Sequence, residues 1–189
     1  EPPEVPAGDR KLLVESYCCV QEMTGTDTYG VFGTICHEYS HCFGLPDFYN
    51  GSTGFVGKWD LIDYGNYSGD GFCPPGYSAH ERMFMGWPHP VELEGPTDIT
   101  QLSPLNEQPQ AYIIRNDGYA DEYYLIENRQ QSGWDESLPG SGIVVFHVDY
   151  DANIWKTGMP NSSSYKLYTI FPANNKTRTS AQDGWAYPY

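Results

Sequence analysis

Two histidines four residues apart, His37 and His41, enclose a glutamate, Glu38, in the stretch GTICHEYSHCFGLPDFYNG that runs from Gly33 to Gly51. Residues four apart on an α-helix stack on one face, so the two imidazoles can offer nitrogens to one ion. Glu38 lies one position along, beside that line, where a carboxylate can hold a water and accept its proton. A zinc ion lowers the pKa of such a water toward neutrality, and the combination is suited to hydrolysis of a polarised amide.

Three protein ligands and one open position distinguish a catalytic zinc from a closed structural one. Gly44 can take positive φ and turn the chain back beneath the ion, which brings Asp47 within reach as the third ligand. Glu81, on a later helix, is the alternative third ligand, although a helix-capping role already accounts for it. Cys36 and Cys42 flank the histidine pair but are expected to be turned off its face, as small buried hydrophobes and not ligands. His80 and His147 read as ordinary polar residues. A purely structural zinc would call for a fourth His or Cys at regular spacing, and none is found.

These residues need elements to position them. Asp27 can cap a helix over about 27–43 that stops at Gly44, with Pro46 blocking its continuation. Gly30 and Gly33 inside it cost stability unless something packs closely against them. The preceding KLLVESYCCVQE has strand composition, which would send Cys18 and Cys19 to opposite faces, and residues 1–10 read as an extended proline-rich lead-in. Residues 50–75 are rich in Gly, Asn, Ser and Pro and read as a long irregular, functional segment. A second helix is expected over about 78–87, where Ser78 and Glu81 form a capping box. After residue 95 the pattern changes to strands: AYIIRN and EYYLIENR around an Asn116-Asp117-Gly118 turn, then GIVVFHVD and YKLYTIF. The expected class is α+β, with a catalytic lobe over 1–95 and a β-rich lobe over 96–189.

Composition narrows the function. The 189 residues carry 10 Lys and Arg against 25 Asp and Glu, a formal charge of −15, which argues against nucleic acid and anionic membranes as partners. No apolar run approaches membrane-spanning length, so no membrane insertion is expected. Aromatic residues make up 15% and are set to carry much of the core. The five cysteines are an odd number without zinc-finger spacing, so at least one thiol is free or pairs outside the chain. Asn50, Asn66, Asn161 and Asn175 begin Asn-x-Ser/Thr sequons. Asp60, Asp63 and Asp70 lie among glycines and could hold calcium, although without EF-hand spacing.

The run from His37 through Glu38, His41, Gly44, Leu45, Pro46 and Asp47 to Tyr49 resembles the zinc motif of the immune inhibitor A family of secreted bacterial metallopeptidases. Snapalysin-type proteases look similar over the same stretch. The likeness continues in GKWDLIDYGNYSG, in SAHERMFMGW and in YYLIENRQQSGWDESLPGSGIVVFHVD, and covers roughly residues 29–150. It implies a zincin-like metallopeptidase fold and an exported endopeptidase acting on proteins or peptides, often made with a propeptide and accessory domains and sometimes carrying structural calcium. Carried over by position, His37 and His41 are zinc ligands and Glu38 the catalytic base, and the snapalysin-like spacing favours Asp47. Ile62 stands where relatives usually have a methionine in a turn under the zinc, and a hydrophobe of similar size keeps the packing. Tyr64, two residues on, is placed where some related enzymes have an oxyanion-stabilising tyrosine.

Such peptidases bind substrate along the edge of a sheet built before the zinc helix, yet only 36 residues precede His37. The N-terminal part of the catalytic domain is therefore expected to be missing from this chain. The rival reading from another class is a non-catalytic binding or structural module derived from such a protease.

Overall fold

A computed structural model describes residues 4–8, 10–13, 16–23, 32–176 and 179–188. Two short strands, β1 (Glu4–Ala7) and β2 (Arg10–Leu13), pair antiparallel. The proline-rich lead-in is thus partly a strand. Residues 16–22 form no strand, so Cys18 and Cys19 lie on irregular backbone, contrary to expectation. Asp27 and Gly30 lie outside the described residues.

Helix α1 spans Phe32–His41. It ends two residues before the expected limit because Cys42, Phe43 and Gly44 donate to carbonyls only three residues back, tightening the last turn. Gly44 then takes φ +86° and stops the helix, as its residue type predicts. Gly33 is where α1 meets the 50–75 segment: a Cβ there would lie 2.0 Å from the Asn66 carbonyl oxygen. Only glycine permits that approach.

The 50–75 segment is irregular but packed, with 3-10 turns at Gly57–Trp59 and Gly65–Gly71. Trp59, Asp60, Leu61, Ile62 and Asp63 are all buried. Helix α2 (Ala79–Phe84) has the expected capping box: the Ser78 hydroxyl accepts from the Glu81 N–H, and the Glu81 carboxylate accepts from the Ser78 N–H. It stops before residue 87 because Gly86 adopts φ +75°, with Trp87 N–H on the Arg82 carbonyl and Gly86 N–H on that of Met83.

The strand-patterned half forms a five-stranded sheet in the order β3 (Val91–Glu92), β4 (Tyr112–Asn116), β5 (Tyr119–Arg129), β6 (Gly142–Asp149), β7 (Tyr168–Ile170). β3 runs parallel to β4 and the other pairs are antiparallel. The short helix α3 (Ala152–Trp155) joins β6 to the segment before β7. Period-two burial explains the sheet: Tyr123, Leu125, Glu127 and Arg129 of β5 face inward beside Val144, Phe146 and Val148 of β6. The molecule is α+β.

One buried cluster contains Leu45, Phe48, Trp59 and Ile62 from the first half and Val144, Phe146, Trp155 and Tyr168 from the second. Polar groups bind the same seam. Glu127 accepts from the Ala79 N–H at the start of α2, and the buried Arg129 pairs with Glu127 at 2.9 Å and Asp135 at 2.6 Å. Among the described residues no helix is long and apolar enough to cross a membrane.

Candidate metal centre

Helix α1 presents His37 and His41 on one face, with ring centroids 5.0 Å apart. The turn at Gly44–Pro46 brings the chain back so that Asp47 Oδ1 lies 3.1 Å from His37 Nε2 and 3.4 Å from His41 Nε2. Among the described residues these three side chains form the one group of His, Cys, Asp or Glu donors close enough to share an ion, with ligand atoms within 4.8 Å of one another.

The other nitrogen of each ring explains why the donors face inward. His37 Nδ1–H donates to the Leu61 carbonyl at 3.0 Å, and His41 Nδ1–H to the Leu45 carbonyl at 2.8 Å. A carbonyl only accepts, so both hydrogens are assigned to Nδ1, and each Nε2 is left to turn its lone pair toward Asp47. Two imidazole lone pairs and a carboxylate then converge, which is stable only if positive charge lies among them. Without a metal a proton supplies it. The Asp47 hydrogen bond, against the opposing effect of burial, pushes His41 up to about 9. Burial raises Asp47, but the bonds from His37 and His41 outweigh it and hold the carboxyl well below its usual range. Two neutral nitrogens, each turned inward by a ring N–H bond to a backbone carbonyl, and one carboxylate fit a zinc ion.

Asp47 is held from both halves of the chain. Its N–H donates to the Gly158 carbonyl at 2.9 Å, and the next residue, Phe48, donates its N–H to the Ile62 carbonyl at 3.1 Å. Ile62 is fully buried, and Leu61 beside it supplies the acceptor for His37. The turn containing Ile62 thus lies against both a histidine and the aspartate loop. Glu38 is half-buried and lines an open cavity of about 490 Å³ with His41, Cys42, Tyr17, Cys18 and Cys19.

The other expected residues lie elsewhere. Glu81 is fully buried in its capping box and is not in the donor group. Tyr64 donates its hydroxyl to the Gly51 carbonyl at 3.3 Å, and its ring contacts His37 only through Tyr49. Asp60, Asp63 and Asp70 are not gathered into a group. Asp63 Oδ2 accepts the N–H groups of Phe55, Val56 and Gly57 at 2.8 to 3.0 Å, and Asp60 accepts from Ile62 N–H and the Tyr168 hydroxyl. These two carboxylates organise the loop. His80 is buried with its Nδ1 3.1 Å from the Tyr123 hydroxyl, and His147 pairs with Glu122 on the outer sheet face.

Cys36 is half-buried against the core, where burial pushes its thiol up. Cys42 departs from expectation: it lies one residue past α1, where the helical wheel no longer governs its direction, and it shares the cavity of Glu38 and His41. Tyr49 was not singled out by sequence reasoning beyond its place in the motif. It stacks on His37 with centroids 6.1 Å apart and 27° between planes. Burial and the nearby Asp47 and Glu38 carboxylates push its hydroxyl up to about 12. Its spacing, two after Asp47, was the available signal.

No curated protein and no solved structure matches the chain. Residues 5–87, which contain the whole donor group and Glu38, match the model described as immune inhibitor A peptidase M6, catalytic domain.

Proposed function

We propose that the chain is the zinc-holding part of an exported endopeptidase, in which His37, His41 and Asp47 hold the ion and Glu38 is the general base. The observation that carries this reading is the pair of Nδ1–H bonds to backbone carbonyls, which commits both Nε2 lone pairs toward Asp47. A bound zinc polarises the scissile carbonyl and acidifies the attacking water. Glu38 accepts the proton of that water as it adds to the carbonyl carbon, then returns it to the departing amine, so the carboxylate ends unchanged. The segment carrying Leu61 and the Gly44–Pro46 turn keep the three donors in place. Protein or peptide substrates follow from the peptidase family. Export, and a propeptide with accessory domains in the full-length protein, follow from the resemblance and suit the acidic composition.

Metal analysis of the purified chain is expected to give about one zinc, lost in His37→Ala. With the full-length protein, Glu38→Ala is expected to lose at least about a hundredfold in casein cleavage while keeping the metal. No metal in the wild type would sink the reading. Unchanged cleavage in Glu38→Ala would remove Glu38 from the chemistry and leave a zinc-binding module.

A further inference from the structure

The bond that turns His37 toward the donor group ends on the Leu61 carbonyl, and the bond that seats the loop of Asp47 ends on the next carbonyl, that of Ile62. Leu61 and Ile62 lie in a turn, so no ladder of helix or strand bonds sets the direction of their peptide groups. Asp60 does. Its Oδ1 accepts the Ile62 N–H at 2.8 Å. That N–H and the Leu61 C=O are the two ends of one trans peptide, whose plane makes them point opposite ways. Asp60 therefore grips one end of the peptide while His37 is bound to the other, at 3.0 Å. The carboxylate is itself held: its Oδ2 accepts the Tyr168 hydroxyl at 2.8 Å, and that hydroxyl lies 3.0 Å from Ser78 Oγ at the start of α2. Asp60, Tyr168 and Ser78 are all fully buried, so bulk water does not compete for these bonds.

We infer that Asp60 is a positioning residue for the metal centre: by holding the Ile62 N–H it aims the Leu61 carbonyl at His37. The inference rests on the proposal that His37, His41 and Asp47 hold zinc. Asp60 is not in the donor group and acts only through the peptide it grips. Tyr168 carries the same support to β7, and Ser78 to α2. Outer partners of metal ligands typically contribute 10–100-fold to affinity. Asp60 stands one bond further out, so the lower end of that range applies.

The test is zinc affinity, measured by competition with a chromophoric chelator under conditions where each metal-free protein is folded, together with the visible spectrum of each cobalt(II)-loaded protein. Asp60→Ala is expected to bind zinc about tenfold more weakly, with shifted cobalt bands. Asp60→Asn is the conservative variant. Its amide oxygen can still accept the Ile62 N–H and its amide nitrogen can donate to the Tyr168 oxygen, whose hydrogen turns to Ser78, so wild-type affinity and spectrum are expected. Leu125→Ala, a truncation of a fully buried residue of β5 outside these bonds, is expected to lose stability and keep both readouts. Unaltered affinity and spectrum in Asp60→Ala overturn the inference. So does an equal loss in Asp60→Asn, which would tie the effect to the charge and not to the gripped peptide, or an equal loss in Leu125→Ala, which would make it a general cost of destabilisation. Should Asp60→Ala fail to fold, Tyr168→Phe, which keeps the ring and frees Oδ2, decides: shifted cobalt bands support the inference and wild-type bands overturn it. Failure of the wild type to bind zinc overturns the zinc reading as well, and that measurement tells the two failures apart.

Discussion

At the scale of single residues, Asp47 and Glu81 compete for the third ligand position, and their surroundings differ sharply. Asp47 is partly exposed and faces two imidazoles at 3.1 and 3.4 Å. Glu81 is fully buried inside a capping box, and burial, with the neighbouring Asp60, pushes its carboxyl well above the usual range. Gln keeps its size and its capping role. Glu81→Gln is therefore expected to keep full zinc content and to change unfolding free energy by less than about 1 kcal/mol. Asp47→Ala is expected to weaken zinc by more than the roughly 100-fold that marks the loss of an outer partner. Chelator competition on both variants checks this, and zinc loss in Glu81→Gln with retention in Asp47→Ala would reverse the assignment. Glu81's structural role was legible in the spacing from Ser78. The partners of Tyr49 and Tyr64 were not, because ring stacking joins residues through tertiary contacts that leave no period in the chain. The same holds for Asp63, whose three N–H donors belong to a backbone turn that its glycine-rich surroundings suggest but do not specify.

At the scale of elements, the metal-site helix was readable from its ends and its histidines, and α2 from its capping box, while their lengths were set by the glycines that end them. What positions α1 is its seat on the Gly65–Gly71 turn. Gly33 makes that seat, since an added Cβ would meet the Asn66 carbonyl oxygen at 2.0 Å and its carbon at 2.8 Å. Both atoms are backbone and Asn66 is buried, so the helix, not a flexible side chain, must move. Gly33→Ala is expected to destabilise by about 2–3 kcal/mol, at the upper end of overpacking costs, although alanine alone favours a helix by about 1 kcal/mol. Denaturant titration checks the sign: a stabilised Gly33→Ala would mean that α1 does not sit where its histidines meet Asp47. The strand reading of residues 16–22 fails for a related reason. β-branched and aromatic composition marks a strand only where a partner edge exists, and β2 has its partner over Arg10–Leu13.

At the scale of the whole molecule, the strand-rich half is part of the scaffold of the site. The fold class was legible because period-two burial and turn residues marked the strands, whereas a change of pattern near residue 95 says nothing about what packs across it. Asn161 lies on that seam, fully buried, and bridges the two halves: its amide donates to the carbonyls of Phe48 at 2.9 Å and Tyr168 at 2.7 Å, and its oxygen accepts from the N–H groups of Leu167 and Tyr168. The same burial makes its sequon an unsuitable glycan acceptor in the folded state. Removing the side chain strands four buried backbone groups, each costing about 1–3 kcal/mol when left unmet, with water entry offsetting part of the sum. Asn161→Ala is accordingly expected to lose about 2–4 kcal/mol of stability. Because Phe48 follows Asp47, the loss should reach the metal: zinc affinity should fall severalfold, and saturating zinc should restore part of the lost stability through its preference for the folded state. Thermal unfolding with and without zinc measures both effects together. A destabilised Asn161→Ala that bound zinc as tightly as the wild type would show that the Gly158 bond to Asp47 suffices to hold the loop, and that the contribution of the sheet to the centre runs through α3 alone.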